Sequence, residues 1–138
     1  MTKKDIDWDI IDQLITVIAR KIMASDVEIQ GVYGIPRGGL VPAVLLSHKL
    51  GVPLVSSLKN HSLIVDDISD SGNTLTNLLN KAHYPISGTH KLYTATIFER
   101  KSTSFKPDFV GKHIEYQDWI VFPWEYQVHA VENSETIV

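Results

Sequence analysis

Apolar residues at Ile10, Ile11, Leu14, Ile15, Ile18 and Ile22 recur at the spacing of one helical face. They predict a helix over 8–23, with Asp7 or Asp9 as its N-cap. "GVYGI" (31–35) is a short, continuously apolar stretch and reads as a strand. "PRGG" breaks it, and "LVPAVLLSHKL" predicts a helix over Leu40–Leu50, with Pro42 in the first turn and Gly51 as the stop. "PLVSSL" (53–58) and "SLIV" (62–65) read as a second and a third strand. "NTLTNLLNKA" (73–82) puts Leu75, Leu78 and Leu79 on one helical face, and "KLYTATIF" (91–98) reads as a fourth strand. Short strands are expected near Val110–Ile114 and Trp119–Val121. Glu99–Asp108 reads as one long loop, and the polar end 132–138 is expected to fray.

Strands that are apolar on both faces and alternate with helices argue for an α/β fold with a mainly parallel sheet flanked by helices. Ligands of such sheets bind beyond the carboxyl ends of the strands. Two loops there carry unusual content: "IPRGG" after the first strand and "DDISDSGNT" after the third.

A length of 138 residues suits a single domain over 1–138. The net charge of −3 argues against a nucleic-acid-binding surface. Absence of cysteine rules out disulfides and thiolate metal sites, and the six histidines are not at ligand spacing. No apolar run is long enough to span a membrane, and "MTKKDIDWD" lacks the apolar core of a secretory signal, so the expectation is a cytoplasmic protein without membrane partners.

"DSGNT" (Asp70, Ser71, Gly72, Asn73, Thr74) lies between a strand and a helix, where backbone N–H groups emerge from a helix N-terminus. Small residues let an anion approach that backbone, so the turn is a phosphate cradle or else an ordinary N-cap and turn. The P-loop and dinucleotide patterns are absent. Asp66 and Asp67, at the end of an apolar strand, need hydroxyl donors or a cation if they are buried; a sugar diol and Mg²⁺ supply both. A solvated loop mouth is the alternative. Arg37, Gly38 and Gly39 combine a fork of donors with a permissive backbone, suited to a second phosphate group or to a surface helix start.

These residues together resemble type I phosphoribosyltransferases. "LIVDDISDSGNTL" is similar to their motif for 5-phosphoribosyl-1-pyrophosphate (PRPP), and "YGIPRGGLVPAVLLSHKLGVPL" to their pyrophosphate loop and following helix. "WDIIDQLITVIARKIM", "TIFERK" and "DWIVFPWE" are similar to the bacterial xanthine–guanine phosphoribosyltransferases, so the resemblance covers most of the chain. It implies that Asp66 and Asp67 hold the ribose hydroxyls and Mg²⁺, that 70–74 surround the 5′-phosphate, and that 37–39 hold pyrophosphate. It also implies that Asp70 exchanges a proton with purine N7. Trp119 is the expected stacking platform for the base, with core packing as the alternative, and the Ile120 backbone the expected edge contact. Arg100 or Lys101 would read a 6-oxo group. The implied reaction joins a 6-oxopurine to PRPP, giving a nucleoside 5′-monophosphate and pyrophosphate, in a homodimer or homotetramer with a small C-terminal base-binding segment.

The chain departs from this pattern in one place. Members of the family carry a long mobile lid before the acid-pair strand, whereas here only Ser56–Ser62 is available. Slow turnover, or cover from a neighbouring subunit, is the expected consequence. A non-catalytic PRPP or nucleotide sensor with this fold, or a transferase for another base, are the alternatives.

Overall fold

The computed structural model describes residues 2–83, 91–115 and 118–125; the end expected to fray, 132–138, lies outside the described residues. The elements run β1 (Thr2–Asp5), α1 (Trp8–Ala24), β2 (Gly31–Gly34), α2 (Leu40–Leu50), β3 (Ser62–Ser69), α3 (Asn73–His83), β4 (Leu92–Arg100), β5 (Phe109–Ile114) and β6 (Asp118–Val121), followed by a single 3₁₀ turn at Pro123–Glu125. Four strands form one sheet in the order β2-β3-β4-β5, and β1 pairs with β6 in a separate ribbon. Every pairing is parallel.

Helix α1 starts where Asp7 Oδ1 accepts from the Ile10 N–H at 2.8 Å. It buries Ile11, Ile15 and Ile18 completely. These pack with Leu63 and Val65 of β3 and Ala95 and Ile97 of β4 in one core, closed at its edges by Ala43, Leu46 and Phe122. Alternation along β3 puts Asp67 on the face of Leu63 and Val65, and Asp66 on the face of Ile64. Gly51, at φ +68°, ends α2 in the left-handed conformation that glycine adopts cheaply.

Three expectations need correction. Residues 53–58 make only an isolated bridge, Val32 to Leu54. The Pro53 carbonyl accepts from Val32 N–H at 2.9 Å and Val55 N–H returns to the Val32 carbonyl at 2.8 Å. Pro53 has no N–H with which to extend the ladder. Strand β3 does not stop before the acid pair: it continues to Ser69, with Asp66 opposite Thr96 and Ile68 opposite Phe98. Glu99 and Arg100 belong to β4, so the long loop begins only at Lys101. Glu99 is 3% exposed and tolerable there because Lys106 Nζ (3.6 Å) and His113 Nε2 (3.3 Å) flank its carboxylate. Strand β1 was not foreseen, because "TKKD" carries no apolar alternation; its register with β6 supplies the order that burial does not.

Candidate functional site

The site forms where neighbouring strands have unequal length. Strand β2 ends opposite Val65, while β3 runs four residues further. The Ile35 N–H still reaches the Val65 carbonyl at 2.9 Å, after which the chain turns through Arg37–Gly39 into α2. This turn fills the side of β3 that β2 has vacated. A side chain on Gly38 would strike Asp67 Oδ2, and one on Gly39 the Val65 carbonyl. The two loops singled out in the sequence therefore touch, and only glycine permits the approach.

Asp66 and Asp67 are half-buried. Each accepts the N–H of the next residue: Asp67 N–H to Asp66 Oδ1 at 2.9 Å and Ile68 N–H to Asp67 Oδ1 at 2.8 Å. Burial pushes the Asp66 carboxyl up to about 7, and the neighbouring Asp67 charge adds to that. Burial also raises Asp67, with a contribution from the Glu125 carboxylate. Among the described residues no lysine or arginine pairs with either acid. No group of three or more acids or histidines that could hold a metal unaided occurs among them. Two carboxylates without a cationic partner fit a hard divalent cation that completes its oxygen shell with water and ligand phosphates.

A cavity of about 210 Å³ runs from this acid pair over Ile68–Gly72 to Thr74 and Leu75. It is smaller than the roughly 300–1,000 Å³ of clefts for drug-sized ligands. Its far end is the turn into α3. Gly72 has φ +88°, and its N–H has no hydrogen-bond partner among the described residues. The Asn73 N–H is held by Ser71 Oγ at 3.2 Å.

Asp70 is exposed at the cavity mouth, where Arg100 Nε donates to its Oδ1 at 2.7 Å. The same guanidinium donates through Nη1 to the carbonyls of Glu115 and Asp118, both at 2.9 Å. Lys101 instead turns to solvent and pairs with Glu115. Trp119 is 56% exposed, so core packing is not its role, and it follows directly on Asp118, whose carbonyl Arg100 grips. Ile120 lines a separate cavity of about 610 Å³ with Ile10, Leu14 and Phe98.

Two groups carry no clear signal in the sequence. Arg37 and Gly38 bound a third cavity of about 480 Å³ whose other wall is Trp124 and Glu125. Glu125 is held in place by accepting from Phe122 N–H at 2.9 Å, and Trp124 by stacking on Phe122 at 4.7 Å. The only clue in the sequence was an acid directly after the apolar run "VFPW". At the back of the turn Ser69 meets Thr103 and Ser104 reaches the Ser71 carbonyl; nothing in a short serine- and threonine-containing loop announces this.

Comparison with known proteins agrees with this geometry. Residues 56–130, more than half of the chain, match the phosphoribosyl transferase domain family. A xanthine-guanine phosphoribosyltransferase of Cereibacter sphaeroides is 30% identical over 129 residues, covering 75% of this chain and 73% of the relative. That of Chromohalobacter salexigens is 26% identical over 152 residues, covering 92% and 86%. The crystal structure of a purine phosphoribosyltransferase from Pyrococcus horikoshii superimposes with a TM-score of 0.78 at 32% identity, covering 92% of this chain and 96% of that one. An acid pair sharing one hollow with a small-residue turn, backed by a glycine loop, is thus found in a chain that belongs to the phosphoribosyltransferase family.

Proposed function

We propose that this phosphoribosyltransferase joins a 6-oxopurine to PRPP, releasing pyrophosphate and a nucleoside 5′-monophosphate. The observation that carries the reading is the shared cavity: Asp66 and Asp67 at one end, the Asp70–Thr74 turn at the other, and Gly38 pressed against Asp67. That spacing supports a phosphorylated pentose lying between a diol-binding acid pair and a backbone anion cradle. Pyrophosphate would occupy the adjoining hollow at Arg37 and Gly38, where Arg37 and backbone amides meet its charge as it departs. The names of the relatives support the purine assignment.

Asp66 and Asp67 would also hold Mg²⁺, which when bound supplies positive charge to the pyrophosphate oxygens. Asp70 exchanges a proton with the base, and its exposed position at the cavity mouth supports that role. Trp119 stacks on the base and the Ile120 backbone meets its edge. For the 6-oxo group the geometry favours Lys101 over Arg100. Arg100 is committed to Asp70 and two carbonyls, whereas the exposed pair of Lys101 with Glu115 is cheap to break. Assembly as a homodimer or homotetramer would supply cover from a neighbouring copy, since only 56–61 separate the Val55 turn from β3.

Incubation with PRPP, Mg²⁺ and guanine, xanthine or hypoxanthine should release pyrophosphate and yield the matching monophosphate. A folded protein that releases none with any of the three bases would overturn the reading.

A further inference from the structure

The phosphate turn does not hold its shape alone. The Ser71 carbonyl accepts from Ser104 Oγ at 2.6 Å and from Ser104 N–H at 3.1 Å. One step back, the buried hydroxyls of Ser69 and Thr103 lie 2.9 Å apart and both reach the Phe105 carbonyl, at 2.9 and 3.1 Å. Between these contacts Gly72 runs so close to the loop that a Cβ would sit 2.5 Å from Phe105 N.

The direction of the Ser71 carbonyl matters because a trans peptide is planar, and its C=O and N–H point opposite ways. Two donors holding that carbonyl toward the 101–108 loop therefore aim the Gly72 N–H the other way. That N–H has no partner among the described residues, and Gly72 lines the cavity beneath the acid pair. Ser104 itself is exposed, so its hydroxyl is not there to fill a core.

We propose that Ser104 is a positioning residue for the 5′-phosphate: by holding the Ser71 carbonyl from behind, with Thr103 bracing Ser69, it presents the Gly72 amide to the ligand. This rests on the assignment of the 70–74 turn to the PRPP 5′-phosphate. Ser104 does not touch the ligand; it acts through the peptide between Ser71 and Gly72.

The test compares wild type, Ser104→Ala and Ser104→Thr by calorimetry with ribose 5-phosphate, by steady-state kinetics and by thermal melting. Loss of one hydrogen bond's worth of ordering should weaken ribose 5-phosphate binding and raise the KM for PRPP about three- to tenfold in Ser104→Ala. The KM for the base and the melting temperature should hardly change, and Ser104→Thr, which keeps the hydroxyl, should restore PRPP affinity. Equal ribose 5-phosphate affinity in wild type and Ser104→Ala overturns the proposal, as does a loss that falls equally on base and PRPP. Wild type that binds neither ribose 5-phosphate nor PRPP instead defeats the assignment of the turn.

Discussion

Arg100 Nε donates to Asp70 Oδ1 at 2.7 Å while its Nη1 holds the carbonyl of Asp118. One guanidinium thereby ties the proposed proton-exchanging acid to the strand that presents Trp119. Asp70→Asn keeps the shape but cannot take a proton from the base. It should lower kcat by about 10²–10⁴, the usual contribution of a positioned acid or base, with PRPP affinity within a few-fold of wild type. A loss of kcat below about tenfold would remove Asp70 from the proton transfer.

Arg100 itself is 9% exposed, and its removal leaves two carbonyls without this donor. Arg100→Ala should cost about 1.5–3 kcal/mol of stability in urea unfolding, as expected for hydrogen bonds to a charged group. Lys101→Gln loses only an exposed ion pair and should be within about 1 kcal/mol of wild type. It should nevertheless raise the KM for guanine and narrow the preference over adenine. If Arg100→Lys rather than Lys101→Gln changes that preference, the two roles are reversed.

Trp119 separates stability from binding. Because it is 56% exposed, Trp119→Ala should leave the melting temperature nearly unchanged. Aromatic stacking on a base is worth about 1–3 kcal/mol, so the KM for the purine should rise between about fivefold and more than a hundredfold. Unchanged purine affinity would place the base elsewhere.

The acid pair makes stability depend on pH and on divalent cation. Asp66 is raised from 3.8 to about 7 in the folded state, so the folded protein binds the extra proton more tightly than the unfolded chain does. The stabilisation is fully present below pH 3.8 and is lost as pH rises through about 7. Above that, ionised Asp66 and Asp67 are a burden that a cation relieves. Mg²⁺ with pyrophosphate should therefore raise the melting temperature more at pH 8 than at pH 5. Asp66→Asn should raise it at pH 8, without ligand, by about 3–8 °C, or about 1–2 kcal/mol. A melting temperature for Asp66→Asn below wild type at pH 8 would contradict this.

Glycine at 38 is a condition for the two loops to meet. A Gly38→Ala methyl would strike Asp67 Oδ2, and one of the two must move. Pyrophosphate affinity, read by product inhibition, should fall about tenfold or more, because displacing either the carboxylate or the loop backbone disturbs the hollow they share. An unchanged inhibition constant would show that the loop can recede without cost.

Local pattern was enough to identify α1, α2 and α3, the parallel arrangement, and the two small-residue loops that follow β2 and β3, because helical spacing, glycine stops and small-residue turns are written within a few neighbouring residues. The family resemblance was likewise carried by contiguous stretches, 63–75 the most specific of them and 33–54 the next. Tertiary structure alone decided which groups meet. β2 stops opposite Val65, so the Arg37–Gly39 turn lies against Asp67; Arg100 spans from Asp70 to Asp118; Glu125 faces the acid pair; Ser104 reaches Ser71. These partners are far apart in the chain, and a hydrogen bond or a charge acts over a few ångströms whatever the sequence separation. No periodicity along the chain records them. For the same reason β1, polar and four residues long, became a strand only because β6 lay beside it.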